Sequence, residues 1–442
     1  MRFFIQNFGC RATQADGAAL EGLLAKQGFA PAEAARAADL VILNTCTVTS
    51  SADDDVRKSI HRVHRENPGA RILVTGCYAQ RSPAELSQIP GVTWVVGNSH
   101  KTQIPDLLPG LLPAADYHGQ VPACEIIVGD IREARDFLSS PVDDAFGDRT
   151  RPNLKIQEGC NNPCTFCIIP SVRGRSRSMS TQQVLAEIRS LAGTYREIVL
   201  TGINLGRWGR EAGFEPERRL RLDGLLRLIL EQTSVERLRI SSVEPMDLSD
   251  DLLDLMAASP RIAAHVHAPL QSGSDSVLRR MKRRYRTRHY EDRILRAHRL
   301  LPHAAFGADV MTGFPGESDD DFRQTFEFIE RLPLTYLHVF TYSARPGTPA
   351  FSDSGQVPHP LRKQRTRLLR ELAEKKNLAF RRAQIGRTLR AVTLDNGKAL
   401  PENYLAVDLA AHRPANRLVE LKIGGLTAGG LAEESPFNVL PS

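Results

Sequence analysis

Residues Ile156–Ser178 read IQEGCNNPCTFCIIPSVRGRSRS and place Cys160, Cys164 and Cys167 within eight residues of a 442-residue chain that has seven cysteines in all. The stretch LKIQEG, from Leu154 to Gly159, has strand character, so the cysteine loop opens at the carboxyl end of a strand. Further strand candidates follow, each running into a loop: EIVLTGIN, RLRISSVEP, AHVHAPLQSG, FGADVMTGFPGE and LHVFTYSARPGT. Amphipathic stretches such as TQQVLAEIRSLAG and DDDFRQTFEFIERL separate them. About six βα units close most naturally into a barrel or partial barrel, and such barrels do their chemistry at the carboxyl ends of the strands.

Upstream, RFFIQNF, DGAALEGLLAKQGF, DLVILNT, DDDVRKSIHRVHREN and RILVTG alternate between strand-like and helix-like texture. This pattern predicts a doubly wound, parallel α/β domain over 1–112. Residues 113–149 have weak periodicity and read as a linker, with the barrel expected over 150–378. After Pro360 a basic helical stretch, LRKQRTRLLRELAEKKNLAFRRAQ, reads chiefly as a linker to a short tail. The turn signals and alternation of that tail predict a small all-β barrel over 379–442.

An apolar fraction of 41% and a charged fraction of 25% belong to an ordinary soluble protein and argue against wholesale disorder. No apolar run approaches the roughly 20 residues needed to span a bilayer, and MRFFIQNFGC is a poor signal peptide. The expectation is a cytoplasmic protein without a membrane partner. In that reducing compartment, cysteines read as metal ligands or catalytic groups before disulfides. The net charge of +7 suits a polyanionic partner without deciding its nature.

Three thiolates on one short loop can hold three irons of a cubane cluster and leave the fourth iron without a protein ligand. An open position on a metal centre is where a substrate or cofactor binds. The alternative, a structural zinc knuckle, usually shows paired C-x2-C units or a nearby histidine, and the histidines here are far off in sequence. Cys10, Cys46 and Cys77 each stand directly after a strand candidate. Carboxyl ends of parallel strands share one edge, so these three can converge into a second three-thiolate site. Three unrelated buried cysteines would not explain the shared position. Cys124 has no such setting.

C-x3-C-x2-C with Phe166 before the last cysteine, followed by these βα units, resembles the radical S-adenosylmethionine (SAM) superfamily. The resemblance implies a 4Fe-4S cluster on Cys160, Cys164 and Cys167 with SAM on its open iron. It also implies Phe166, Gly202, Asn204 and Glu244 near the cluster and the methionine end of SAM, Gln271 and Ser272 near its ribose, and Gly313 and Glu317 near its adenosine. With a second three-cysteine set ahead of the barrel, the chain resembles the methylthiotransferases, through GCRATQADG, NTCTVTSSAD, TGCYAQ, PLQSGSDSVLRRMKRRY and VMTGFPGE. Thr13 stands where that family often has Asn.

That second resemblance implies an auxiliary 4Fe-4S cluster on Cys10, Cys46 and Cys77 that carries sulfur, and a C-terminal RNA-binding TRAM domain. The branch most similar, by NTCTVT with Ala52 and Asp53 and by SSVEP, acts on N6-threonylcarbamoyladenosine in tRNA. Sister branches act on isopentenyladenosine in tRNA or on an aspartate of a ribosomal protein. Expected partners are the tRNA anticodon stem-loop, an electron donor such as a flavodoxin or ferredoxin, and a sulfur donor. The runs SVRGRSRS and RRMKRRYRTRH nominate Arg173, Arg175, Arg283 and Arg284 for phosphate contacts and Tyr285 for base stacking. Two other classes fit fewer of these features: a cluster-bearing electron carrier, and a zinc-containing RNA-binding protein.

Overall fold

The computed structural model describes residues 1–111, 124–135, 138, 150–211, 213–215 and 220–435. Strands β1 (Arg2–Asn7), β2 (Ala30–Pro31), β3 (Leu40–Thr45), β4 (Arg71–Gly76), β5 (Val92–Gly97) and β6 (Glu125–Ile127) form one parallel sheet in the order β2-β1-β3-β4-β5-β6. LVILNT of β3 is buried at every position, as a strand covered on both faces must be. One face packs Val41, Leu43, Ile60 and Val74, and the other packs Leu20, Leu40, Ile42 and Leu73. The expected linker over 113–149 therefore contains an edge strand of this sheet, β6. Residues 113–123, 136–137 and 139–149 of it lie outside the described residues.

The second body contains β7 (Asn153–Glu158), the short antiparallel β8 (Arg177–Ser178), β9 (Glu197–Gly202), β10 (Arg237–Ile240), β11 (His265–His267), β12 (Ala305–Thr312) and β13 (Tyr336–Thr341). Parallel pairing runs β7-β9-β10 and β11-β12-β13, with a parallel bridge from Leu238 to Ile262 between the two sets. The result is a partial barrel, open between β7 and β13. Leu154, Ile156, Ile198, Leu200, Leu238, Ile240, Val266, Ala308 and Val310 pack outward against the helices. The alternating partners therefore face the lumen.

The N-terminal body closes that opening at both edges. From helix Arg11–Lys26, Asp16 pairs with Lys155 of β7. On the other edge, Asp53 pairs with Arg345 and Ser50 hydrogen-bonds Ser343, both just after β13. The basic helix His359–Arg382 is more than a linker, because Leu369 and Leu372 are buried against the barrel core and Arg365 donates to Glu317.

Strands β14 (Thr388–Thr393), β15 (Lys398–Pro401), β16 (Val407–Asp408), β17 (Leu418–Leu426) and β18 (Leu431–Glu433) close a small barrel around Leu389, Ala391, Val407, Leu421 and Ile423. It docks at the amino-terminal end of the large barrel, opposite the cysteine loop. RLRI of β10 explains how: Leu238 and Ile240 face out, while Arg237 and Arg239 face in and meet Glu197 of β9 at 2.5 and 2.8 Å. Their remaining N–H groups donate to the carbonyls of Arg390, Leu400, Pro401 and Glu402.

Burial alone would raise the Glu197 carboxyl, but Arg239 and Arg237 hold it well below the ordinary range. Glu197→Gln leaves two buried guanidinium groups uncompensated and is expected to cost about 3–5 kcal/mol, measured by denaturant unfolding. Because the folded-state value is depressed, the stability this group contributes is present above about pH 4 and is lost as pH falls further. Unfolding of Glu197→Gln indistinguishable from wild type would show that the docking rests on other contacts. Among the described residues, no helix is long and apolar enough to cross a membrane.

Candidate functional site

Two glycines bring the first cysteine set together. Gly9 precedes Cys10 with φ +102°, and a Cβ there would lie 2.6 Å from Cys46 Cβ. Gly76 precedes Cys77 with φ +101°, and a Cβ there would lie 2.4 Å from the Thr45 carbonyl, beside Cys46. Only glycine allows both the positive φ and the close approach. Cys10 is exposed, whereas Cys46 and Cys77 are buried. The Cys46 thiol is pushed up to about 12, first by burial and then by the neighbouring Cys77 and Cys10. Thr13 Oγ1 lies 3.6 Å from Cys10 Sγ, and Asn98 Nδ2 donates to Cys77 Sγ at 3.6 Å. Three thiols that repel one another as anions, with hydrogen-bond donors around them, fit a cationic metal centre and leave no fourth protein thiol.

The second set sits where β7 ends. Asn162 N–H and Asn204 Nδ2 donate to Cys160 Sγ at 3.4 and 3.5 Å, and Arg283 Nη1 donates to Cys164 Sγ at 3.3 Å. Burial pushes Cys167 up to about 12 and raises Cys160. Gln157 fixes the loop by donating to the Glu158 and Gly159 carbonyls and accepting from Asn204 N–H. Asn204 Oδ1 is buried without a hydrogen-bond partner, a free acceptor beside the cysteines. Such an acceptor and the donors on sulfur fit a cluster with an amine-bearing ligand. An open pocket lined by Asn161, Asn162, Asn204, Arg207, Arg210 and Arg284 adjoins them.

One buried ionic network joins the two sets. Arg173 Nε donates to Cys77 Sγ at 3.2 Å, while its Nη atoms reach Glu158 at 2.9 Å and Asp16 at 3.1 Å. Lys101 meets Asp16 at 3.0 Å, and Lys155 meets both carboxylates. Burial would raise Asp16, but Lys101, Lys155 and Arg173 hold it well below the carboxylate range, and Glu158 is lowered to about 2 by Arg173 and Lys155 against the same burial. Cys77 also packs with Ile168, the residue after Cys167, and with Val172 of the short helix Ile169–Arg173, so the first set lies against the segment that follows the second.

Several residues nominated from sequence have other work. Arg173, Arg283 and Tyr285 are 2%, 7% and 3% exposed and cannot meet RNA. Arg173 ties Cys77 to Glu158 and Asp16, Arg283 pairs with Glu244 and Cys164, and the Tyr285 hydroxyl donates to the Pro269 and Leu270 carbonyls. Arg175 and Arg284 are exposed. Phe166 packs edge-on against Phe314 at 6.4 Å, and Gly202 lies where a Cβ would press on Gln157.

Gln271 adopts φ +65° and bridges to β12 through backbone bonds. Ser272 is fully buried, with its hydroxyl 3.1 Å from Thr325 Oγ1. Gly313 N–H donates to Glu317, whose carboxylate also accepts from Arg365, so that pair braces the turn after β12. Cys124 is half-buried near the edge strand and joins neither set. Asp16, Lys101, Lys155 and Glu158 were not nominated from sequence.

A six-strand partial barrel with a C-x3-C-x2-C loop after its first strand defines a radical SAM protein, and residues 154–329 match the Radical SAM superfamily. Residues 2–97 match an uncharacterized protein family designated UPF0004. The chain is 34% identical over 427 residues to the threonylcarbamoyladenosine tRNA methylthiotransferase MtaB of Aquifex aeolicus, covering 96% of this chain and 100% of the relative. It is 39% identical to the enzyme of that name from Bacillus subtilis, covering 83% and 79%. It is also 36% identical to the tRNA-2-methylthio-N(6)-dimethylallyladenosine synthase of Mycobacterium avium, covering 87% of this chain and 54% of the relative.

Among solved structures, the radical SAM methyltransferase TsrM of Kitasatospora setae shares the fold at TM-score 0.57 and 16% identity, covering 79% of this chain and 74% of that one. The chain belongs to the radical SAM methylthiotransferase family. As a radical SAM enzyme it binds a 4Fe-4S cluster and SAM.

Proposed function

We propose that this protein is a tRNA methylthiotransferase that converts N6-threonylcarbamoyladenosine beside the anticodon to its 2-methylthio derivative. The observation that carries the reading is the additional three-cysteine set of Cys10, Cys46 and Cys77, whose Cys77 packs on Ile168, the residue after Cys167, and accepts a hydrogen bond from Arg173. Relatives named for threonylcarbamoyladenosine align over most of both chains and support the choice of substrate. Relatives named for dimethylallyladenosine keep the sister substrate as the second reading.

On this reading Cys160, Cys164 and Cys167 hold the radical SAM cluster, and Cys10, Cys46 and Cys77 hold an auxiliary 4Fe-4S cluster. When bound, the clusters would supply the electron and the sulfur, and SAM the radical precursor and the methyl group, that a C–H bond without a leaving group requires. The protein's own part is to orient and to exclude water. Arg283 and Asn204 donate to the Cys164 and Cys160 sulfurs, and Asn204 Oδ1 is the acceptor that would hold the amine of bound SAM. Val48 and Phe340, 50% and 46% exposed near the junction of the two bodies, offer apolar surface to a flipped base. Exposed Arg175 and Arg284 meet anticodon-loop phosphates, and the C-terminal barrel adds RNA affinity. A flavodoxin or ferredoxin supplies electrons, and a separate donor renews the sulfur.

Arg173→Lys keeps a charge but loses the three-way fork. It is expected to weaken retention of the auxiliary iron by about 10–100-fold, the usual effect of removing an outer-shell partner. Iron released to a chelator, counted against the iron retained by the other site, measures this. Equal release from wild type and variant would remove Arg173 from the account. The substrate is tested by nucleoside analysis of tRNA from cells lacking this protein. Loss of 2-methylthio-N6-threonylcarbamoyladenosine alone supports the reading, whereas loss of the 2-methylthio isopentenyl nucleoside alone replaces it with the sister branch.

A further inference from the structure

We propose that His267, Asp309 and His338 form a binding site for a divalent transition-metal ion such as zinc in the lumen of the large barrel, separate from both cysteine sets. The three residues stand on adjacent strands β11, β12 and β13, at positions whose neighbours Val266, Ala308, Val310 and Val339 pack outward. Asp309 and His338 are direct register partners, and His267 pairs with Gly307, two residues before Asp309. Their ligand atoms all lie within 4.8 Å of one another.

The separations match a coordination shell. His267 Nε2 lies 3.3 Å from Asp309 Oδ1, and His338 Nδ1 lies 3.2 Å from the same oxygen. Nitrogen and oxygen ligands about 2.0–2.2 Å from one ion, at octahedral to tetrahedral angles, stand about 2.8–3.6 Å apart. The His338 contact is also within hydrogen-bonding geometry of that oxygen, whereas His267 Nε2 has no partner in such geometry although the residue is only 7% exposed. A buried ring nitrogen pointing at a carboxylate without bonding it is costly unless a cation lies between them.

The surroundings are those of a ligand set. The Ser242 hydroxyl lies 2.5 Å from His267 Nδ1, the outer-shell contact that orients a ligating imidazole. Tyr336 stacks on the His267 ring at 5.8 Å and 14°, and itself bonds His265 Nε2 at 2.7 Å, which fixes the layer beneath. His338 is 53% exposed and Asp309 23%, so the remaining positions on the ion open toward the cavity rather than into the core. Two imidazoles and one carboxylate leave open positions on a four- to six-coordinate ion. Resting on the substrate reading above, those positions suit the carboxylate of a threonylcarbamoyl group, which the isopentenyl substituent lacks.

The test uses the full chain with both clusters reconstituted, exposed anaerobically to zinc and passed through a desalting column. Wild type is expected to retain about one zinc per chain, with X-ray absorption showing nitrogen and oxygen at about 2.0–2.1 Å and no sulfur at 2.3 Å. Asp309→Asn and the half-exposed His338→Asn should each lower retained zinc at least tenfold with iron content and secondary structure unchanged. Zinc absent from wild type, undiminished in both variants, or bound to sulfur overturns the site. Zinc lost as expected while threonylcarbamoyladenosine proves not to be the substrate leaves the site standing and removes only its ligand.

Discussion

Replacing Cys46 with alanine separates SAM cleavage from sulfur insertion. The variant is expected to release 5′-deoxyadenosine under reducing conditions and to form no methylthio nucleoside. Its iron content should fall from about eight to about four per chain, the difference of one cubane. The physical reason is the position of Cys46. It is buried at the end of β3, pressed against Gly9, and its thiol is raised by burial and by Cys77 and Cys10. Alanine fits the same space, so the sheet survives while the auxiliary site loses one of three ligands. Product formation at the wild-type rate would show that sulfur comes from elsewhere. Loss of 5′-deoxyadenosine as well would show that the two cysteine sets are a single functional unit.

Replacing Cys160 with alanine gives the opposite division. No 5′-deoxyadenosine and no product are expected above background, while about four irons remain on the other set. Cys160 accepts hydrogen bonds from Asn162 N–H and Asn204 Nδ2, so its loss also frees the side chain that presents Asn204 Oδ1 to the pocket. A conservative Cys160→Ser variant should fail equally, because an alcohol replaces a thiolate only weakly as an iron ligand. SAM cleavage persisting in both variants would place the radical chemistry at the other three cysteines.

Cys160, Cys164 and Cys167 stood out by their spacing on one loop, and Cys10, Cys46 and Cys77 because each follows a strand and parallel strands present their carboxyl ends at one edge. The glycines before Cys10 and Cys77 carried the same message, since their positive φ lets neighbouring strand ends touch. The ionic bridge was not legible. Asp16 meets Lys101 and Lys155 at sequence separations of 85 and 139, and nothing local marks any of them. Arg237 and Arg239 were legible in principle. RLRI alternates apolar and charged positions, which in a closed barrel puts two arginines inside and demands a partner such as Glu197. Arg173, Arg283 and Tyr285 were misplaced because a basic, aromatic-dotted run looks the same whether it faces solvent or braces sulfurs and carboxylates. β6 escaped notice because three residues carry no usable period.

The measurement that bears most directly on the whole account is anaerobic incubation of the reconstituted protein with SAM, a strong reductant and tRNA carrying N6-threonylcarbamoyladenosine, followed by mass spectrometry of the digested nucleosides. The account predicts the 2-methylthio derivative together with 5′-deoxyadenosine. Formation of 5′-deoxyadenosine with the threonylcarbamoyladenosine left unmodified, in protein shown to hold both clusters, would contradict it.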